Sequence, residues 1–168
     1  MAVTVAMYDK SYDHIGERLN ALGLNIEVLT FGGDGQFQID GKAVPPADID
    51  VDYLWLSTHL NADNAQGIAF ELAQNCKSVG VMQTFNAGLD NPVYKKISDK
   101  GVRICNSSAQ AVAISEYTMA HVLSLLHPID EQRDQQGRKE WKMAPFREIW
   151  RTNWLIIGYG PIGQELSK

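Results

Sequence analysis

Three observations predict an α/β fold built on a doubly wound parallel sheet. Short apolar, β-branched segments recur along residues 3–106, at Val3–Tyr8, Ile26–Leu29, Tyr53–Leu56, Val79–Met82 and Val102–Cys105. Between them apolar residues fall at helical spacing, so strand and helix alternate. The first strand, helix and second strand already form one βαβ unit, which implies parallel pairing.

Val3–Tyr8 ends at the polar run Asp9-Lys10-Ser11 and reads as a first, central strand. Ile15, Leu19 and Leu22 follow at helical spacing, with Asp13 as the cap and Gly23 as the stop. Ile26–Leu29 is the second strand. The stretch 31–46 breaks the rhythm: Gly32, Gly33 and Gly35 precede Gln36-Phe37-Gln38-Ile39, and Asp40-Gly41 is a hairpin signal. It reads as a small surface hairpin without chemistry or, because glycine-rich loops move, as a lid. Tyr53–Leu56 opens onto Ser57-Thr58-His59. Asn61 or Asp63 caps the next helix, whose Ile68, Ala69 and Leu72 face inward. Val79–Met82 leads into the loop 83–91, and Pro92 suits the first position of a short helix that ends near Lys100-Gly101. After Val102–Cys105 comes a long, mostly apolar helix, Ala109–Leu126, ended near His127-Pro128. Its apolar residues occupy more than one face, so it is expected to pack against more than its own sheet.

Five strands alternating with helices describe a domain of flavodoxin-like type. Ligands in such sheets sit beyond the C-terminal strand ends. Those ends carry Tyr8-Asp9, Ser57-Thr58-His59, Phe85-Asn86-Ala87-Gly88 and Asn106-Ser107-Ser108.

Composition narrows the function classes. The 168 residues are 45% apolar and 21% charged with a net charge of −5, enough for a globular core and without a basic stripe, so nucleic acid is not an expected partner. Cys76 and Cys105 lie far apart without metal-ligand spacing, and are expected to be reduced thiols in a cytoplasmic protein. No metal site is expected. No signal peptide and no membrane-spanning stretch is read.

Beyond the long helix, residues 130–142 are polar and charged, as a linker or a solvated helix would be. Trp141, Phe146, Trp150 and Trp154 then follow within a short span, which points to an arm or hinge buried against another domain or subunit. The run Trp154-Leu155-Ile156-Ile157 has strand character and leads into Gly158-Tyr159-Gly160-Pro161-Ile162-Gly163. In a G-x-G-x-x-G turn, the first glycine makes the tight turn and the second leaves room for a pyrophosphate. The third lets the helix pack close to the strand, and the helix N-terminus faces the phosphates. The alternative is a tight βα turn with incidental glycines. Read as a fingerprint, the segment is the first strand and turn of a Rossmann domain. The acidic residue expected about 20 positions further on would fall past Lys168.

The order of these pieces resembles the D-isomer-specific 2-hydroxy-acid dehydrogenases. The matching pieces are residues 84–91, Gly101-Val102-Arg103-Ile104-Cys105-Asn106, Ala109-Gln110-Ala111-Val112-Ala113-Ile114-Ser115-Glu116, Trp141, and the fingerprint from Gly158. The resemblance implies a flavodoxin-like substrate domain over residues 1–128, a hinge and dimerisation arm over 129–152, and a truncated NAD(P)-binding start over 153–168. It further implies NAD or NADP as cofactor, held at Gly158, Tyr159, Gly160, Pro161, Ile162 and Gly163. The substrate, a small 2-hydroxy or 2-keto acid, would meet the backbone N–H groups of Asn86, Ala87 and Gly88. Consecutive amides in a turn make an anion-binding nest, and Gly88 permits the dihedrals this requires. Asn86 either bonds the ligand or braces the turn.

The chain departs from the family pattern at Gln110, where Asn is usual, at Ile114-Ser115 before Glu116, and at Pro161, where Arg is common. The family's catalytic Arg, acid and His match no position here. His14, His121 and His127 read as packed or exposed helix residues, whereas His59 lies at a strand end that can line the cleft. The expectation is therefore an NAD(P)-dependent oxidoreductase as the intact protein, forming a homodimer, with the 168-residue chain alone inactive. The alternative is a non-catalytic NAD-sensing regulator of the same ancestry. A signalling receiver needs Asp and Lys where Ser57 and Asn106 stand, and a flavodoxin needs a glycine-containing phosphate loop where residues 8–13 stand.

Overall fold

The computed structural model describes residues 2–39 and 41–168. The chain forms two compact units, Met1–Ser107 and Ser108–Lys168. Among the described residues, seven strands of the first unit make one sheet in the order β4-β3-β2-β1-β5-β6-β7. They are β1 (Val3–Tyr8), β2 (Ile26–Phe31), β3 (Phe37–Ile39), β4 (Lys42–Val44), β5 (Asp50–Trp55), β6 (Ser78–Gln83) and β7 (Arg103–Cys105). The run β2-β1-β5-β6-β7 is parallel, which is the doubly wound flavodoxin-like order. Strand β1 is central, as its apolar composition predicts. It pairs with β2 from Val3↔Ile26 to Tyr8↔Phe31 and with β5 from Val5↔Tyr53 to Met7↔Trp55. Ala6, Leu54, Leu60 and Met82 lose all contact with water at the middle of the core.

The hairpin is more than a surface feature. Strands β3 and β4 extend the sheet antiparallel beside β2, with Phe37 paired to Phe31. Both phenylalanines are fully buried and meet edge to face with ring centroids 6.0 Å apart. That aromatic pair draws the hairpin into the core. The hairpin signal at Asp40-Gly41 lies partly outside the described residues; Gly41 has φ 73°.

The first helix, α1 (Asp9–Asn20), begins four residues before the expected cap at Asp13, with Tyr8 at its N-cap. Ser11 explains the early start: it is buried and bonded to Ser57, so the chain passes from strand to helix with no polar turn between. Leu22 falls past the helix end and is exposed. Asn61 and Asp63 do not cap the helix after β5. A single turn, α2 (Thr58–Ala62), takes up Asn61, and α3 (Gln66–Asn75) starts later with Ala65 at its N-cap. Helix α4 (Pro92–Ser98) starts at Pro92 as read, and Asn91 Oδ1 accepts the Val93 N–H at 3.0 Å.

In the second unit, α5 (Ala111–Leu126) ends at His127, and α6 (Ile129–Gly137) makes the first part of the polar stretch 130–142 a helix, while 138–142 are not helical. A last helix, α7 (Pro161–Leu166), packs against α5. The run 154–157 is not a strand: among the described residues the second unit contains no strand with which it could form a ladder. Its Leu155 and Ile157 remain about nine-tenths exposed, at 87% and 92%. Among the described residues no helix is long and apolar enough to cross a membrane.

Both cysteines are free thiols. Burial pushes the Cys76 thiol up to about 11. At pH 8 an aromatic disulfide reagent is therefore expected to modify exposed Cys105 well before Cys76. Equal rates would contradict this placement.

Candidate functional site

The C-terminal strand ends of the first unit carry two polar clusters. The first is the loop leaving β6. Thr84 is buried, and its Oγ1 accepts the Asn86 N–H at 3.0 Å while donating to the Asn86 carbonyl at 3.3 Å. Asn86 Nδ2 donates to the Tyr94 hydroxyl at 2.7 Å, so the side chain braces the turn. The Ser107 N–H donates to the Asn86 carbonyl at 3.0 Å, and Asn106 Nδ2 to the Ala87 carbonyl at 2.8 Å. Gln83, the last residue of β6, donates from Nε2 to the carbonyls of Thr84 (2.9 Å), Asn106 (3.0 Å) and Cys105 (3.3 Å). Among the described residues, no acceptor receives the N–H of Ala87 or of Gly88. Both residues are exposed.

Gly88 does not use a left-handed dihedral, contrary to the reason read from the sequence. A side chain there would instead approach Asp90, whose Oδ2 lies 2.9 Å from the position a Cβ would take. That carboxylate end is flexible, so the site tolerates a glycine replacement better than a strained turn would.

The second cluster lies between the ends of β1 and β5, where the strand order reverses. Asp63 accepts from the Tyr8 hydroxyl at 2.8 Å and pairs with the Lys10 ammonium at 2.7 Å. Lys10 and then Tyr8 hold the Asp63 carboxyl below its ordinary value, and the same bonds raise Lys10 and Tyr8. Beside it, Ser11 and Ser57 share a hydrogen bond, and Ser11 Oγ lies 3.4 Å from His59 Nδ1. His59 sits in α2 rather than on the strand end, against the exposed ring of His14 with centroids 5.5 Å apart. His121 packs on Tyr117 and His127 on Phe146.

A lowered carboxyl value makes the Asp63 contribution to stability fully present above the ordinary value of 3.8, and lost as pH falls through the lowered folded value. Acid unfolding of Asp63→Asn, followed by circular dichroism, is expected to show a shallower loss below pH 3.8 than the unsubstituted chain. Superimposable curves would contradict the linkage.

In the second unit, Gly158 has φ 91°, a left-handed turn that favours glycine. A Cβ on Gly163 would sit 2.5 Å from the Gly158 carbonyl oxygen, so helix and turn touch there. Gly160, at the N-cap of α7, has extended backbone and nothing within 4 Å of where a Cβ would point. Tyr159 is exposed and its hydroxyl lies 3.1 Å from Ser167 Oγ, Pro161 occupies the first turn, and Ile162 is half-buried. Residues 86–88 and 158–163 belong to different units.

Sequence reading singled out Asn86, Ala87 and Gly88 but missed Gln83, Tyr94, Asn106 and Asp63 as partners.

No family model matches the chain. It is 26% identical over 130 residues to a hydroxypyruvate reductase of Thermotoga maritima, covering 76% of this chain and 39% of that protein. The chain thus spans about two fifths of the length of this curated relative. Among solved structures it is similar to phosphoglycerate dehydrogenase from Lactobacillus plantarum, with 20% identity and a TM-score of 0.39, over 99% of this chain and 49% of that one.

Proposed function

We infer that this chain, a relative of the D-isomer-specific 2-hydroxy-acid dehydrogenases, carries the carboxylate-binding part of an oxidoreductase that moves a hydride between NAD(P) and a small D-2-hydroxy or 2-keto acid. The observation that carries the reading is the pair of unclaimed N–H groups on Ala87 and Gly88, at the C-terminal edge of a parallel sheet. Two adjacent backbone donors without a protein acceptor are available to a carboxylate, which accepts charge-assisted hydrogen bonds from N–H groups. Thr84, Asn86 and Asn106 hold that backbone, so the donors are oriented before substrate arrives. Asp90 is an anion beside Gly88 and works against a bound carboxylate.

The turn 158–163 fits a dinucleotide. Gly158 supplies the reversal, Gly163 lets the helix close on it, and Gly160 leaves open space where a pyrophosphate needs to approach. The nicotinamide, when bound, accepts or supplies the hydride. Residues of this chain bind and orient; no catalytic acid, base or cation is assigned among them, and the 168-residue chain alone is not expected to turn over substrate.

The arm supports a homodimer. Trp141, Phe146 and Trp150 are 102%, 61% and 67% exposed, and Leu125 of α5 is 86% exposed. Apolar area of this kind favours burial at about 25 cal/mol per Å², and a second copy would supply the cover. Sedimentation showing only monomer at micromolar concentration would contradict this.

Gly160→Val tests the dehydrogenase reading. A Cβ at this position has no neighbouring atom within 4 Å, so the fold is expected to persist. Cofactor affinity, read by nicotinamide fluorescence in the intact protein, is expected to fall at least about tenfold. Unchanged affinity would reduce the glycines to a turn.

A further inference from the structure

We propose that Gln83 is a positioning residue for the carboxylate donors, acting through Asn106. The inference rests on the assignment of Ala87 and Gly88 as those donors.

Peptide planarity sets the direction of both N–H groups. In a trans peptide the C=O of one residue and the N–H of the next point in opposite directions. Among the described residues there is no cis peptide. The direction of the Ala87 N–H is therefore fixed by whatever holds the Asn86 carbonyl, and that of the Gly88 N–H by whatever holds the Ala87 carbonyl. The Asn86 carbonyl is held by the Ser107 N–H at 3.0 Å and by Thr84 Oγ1 at 3.3 Å. The Ala87 carbonyl is held by Asn106 Nδ2 at 2.8 Å. Both carbonyls are thus tied to the segment leaving β7, and both N–H groups are turned away from it.

β7 ends at Cys105, one residue before Asn106. The Thr84 N–H already holds the Cys105 carbonyl at 2.8 Å, and Gln83 carries the tie one residue further, to the Asn106 carbonyl. All three of its side-chain partners are carbonyl oxygens, so only the NH₂ end of the amide can face them. Two of those carbonyls, Cys105 and Asn106, belong to the segment that ties down the loop. The third, Thr84, lies at the start of the loop itself. One amide therefore fixes the spacing between the loop and its tether, and Asn106 turns that spacing into the direction of the Gly88 N–H.

The test uses the full chain, glyoxylate as the probe and Gln83→Met, which keeps length and removes the donor. Two readouts separate the levels of the argument. Exchange of the Ser107 amide reports the tether with no ligand present, and is expected to speed up in Gln83→Met. Glyoxylate affinity, followed by the Ala87 and Gly88 amide shifts, is expected to weaken about tenfold, the order of one lost hydrogen bond. Asn106→Ala is expected to weaken it similarly, and the double variant no further than Asn106→Ala alone, because the two residues act in series. Gln74→Met, which removes a comparable amide-to-carbonyl bond on α3, is the control and is expected to leave affinity unchanged. Faster Ser107 exchange with unchanged glyoxylate affinity would overturn the positioning role while leaving the donor assignment intact. Additive losses in the double variant would overturn the route through Asn106. Failure of the unsubstituted chain to bind glyoxylate at all would overturn the donor assignment, and this inference with it.

Discussion

Phe31→Ala is expected to destabilise the first unit by about 3–5 kcal/mol. Phe31 ends β2 with no exposure to water. Its ring meets Tyr8 at 5.9 Å on one side and Phe37 at 6.0 Å on the other. Truncation removes the apolar transfer energy and leaves a cavity between three elements, β1, β2 and the β3–β4 hairpin. Tyr8, one of the rings lining that cavity, is also the partner of Asp63. Urea unfolding should show the midpoint fall with an unchanged slope, because the same surface is exposed on unfolding. A loss below about 1 kcal/mol would mean that the hairpin collapses into the space, and that its docking on β2 is looser than the paired rings imply.

Gly163→Val is expected to have the next largest effect, and a local one. The first carbon of any side chain there would lie 2.5 Å from the Gly158 oxygen and 3.3 Å from Ile156 Cγ2. The oxygen is backbone, so the turn or the helix must shift, at a cost of about 1–3 kcal/mol or more. Helix α7 has six residues, too few to persist alone, and depends on its packing against α5. Proteolysis is expected to speed up within 154–168, while amide exchange of β1, β5 and β6 stays as it was. The contrast with Gly160→Val is informative. One glycine is required by the fold, and the other leaves space that the fold does not use. Equal proteolysis of the two variants would erase that distinction.

The parallel framework was legible because each strand and helix is a local pattern. The run 3–8 is mostly apolar and opens with three β-branched residues, and β1 has those bounds. Errors arose where a distant partner decides. Phe37 looked like part of a surface hairpin until Phe31 claimed it. Asp63 looked like a helix cap, but Tyr8, 55 residues away, and Lys10 claim its carboxylate. The segment 154–157 reads as a strand from composition, yet a strand exists only with a neighbour to bond. At the candidate site, the loop 86–88 stood among the strand ends by its place after a strand, and the family resemblance singled it out. Its braces did not stand out, because Gln83 reaches carbonyls 22 and 23 residues away and nothing in the local sequence encodes that reach.

The most direct test of the central claim is an amide chemical-shift titration of the labelled chain with glyoxylate, repeated with its neutral amide. The account predicts that the Ala87 and Gly88 signals move together and saturate with the carboxylate, and barely move with the amide. Motionless Ala87 and Gly88 signals in a folded protein, or an equal response to the uncharged compound, would contradict it.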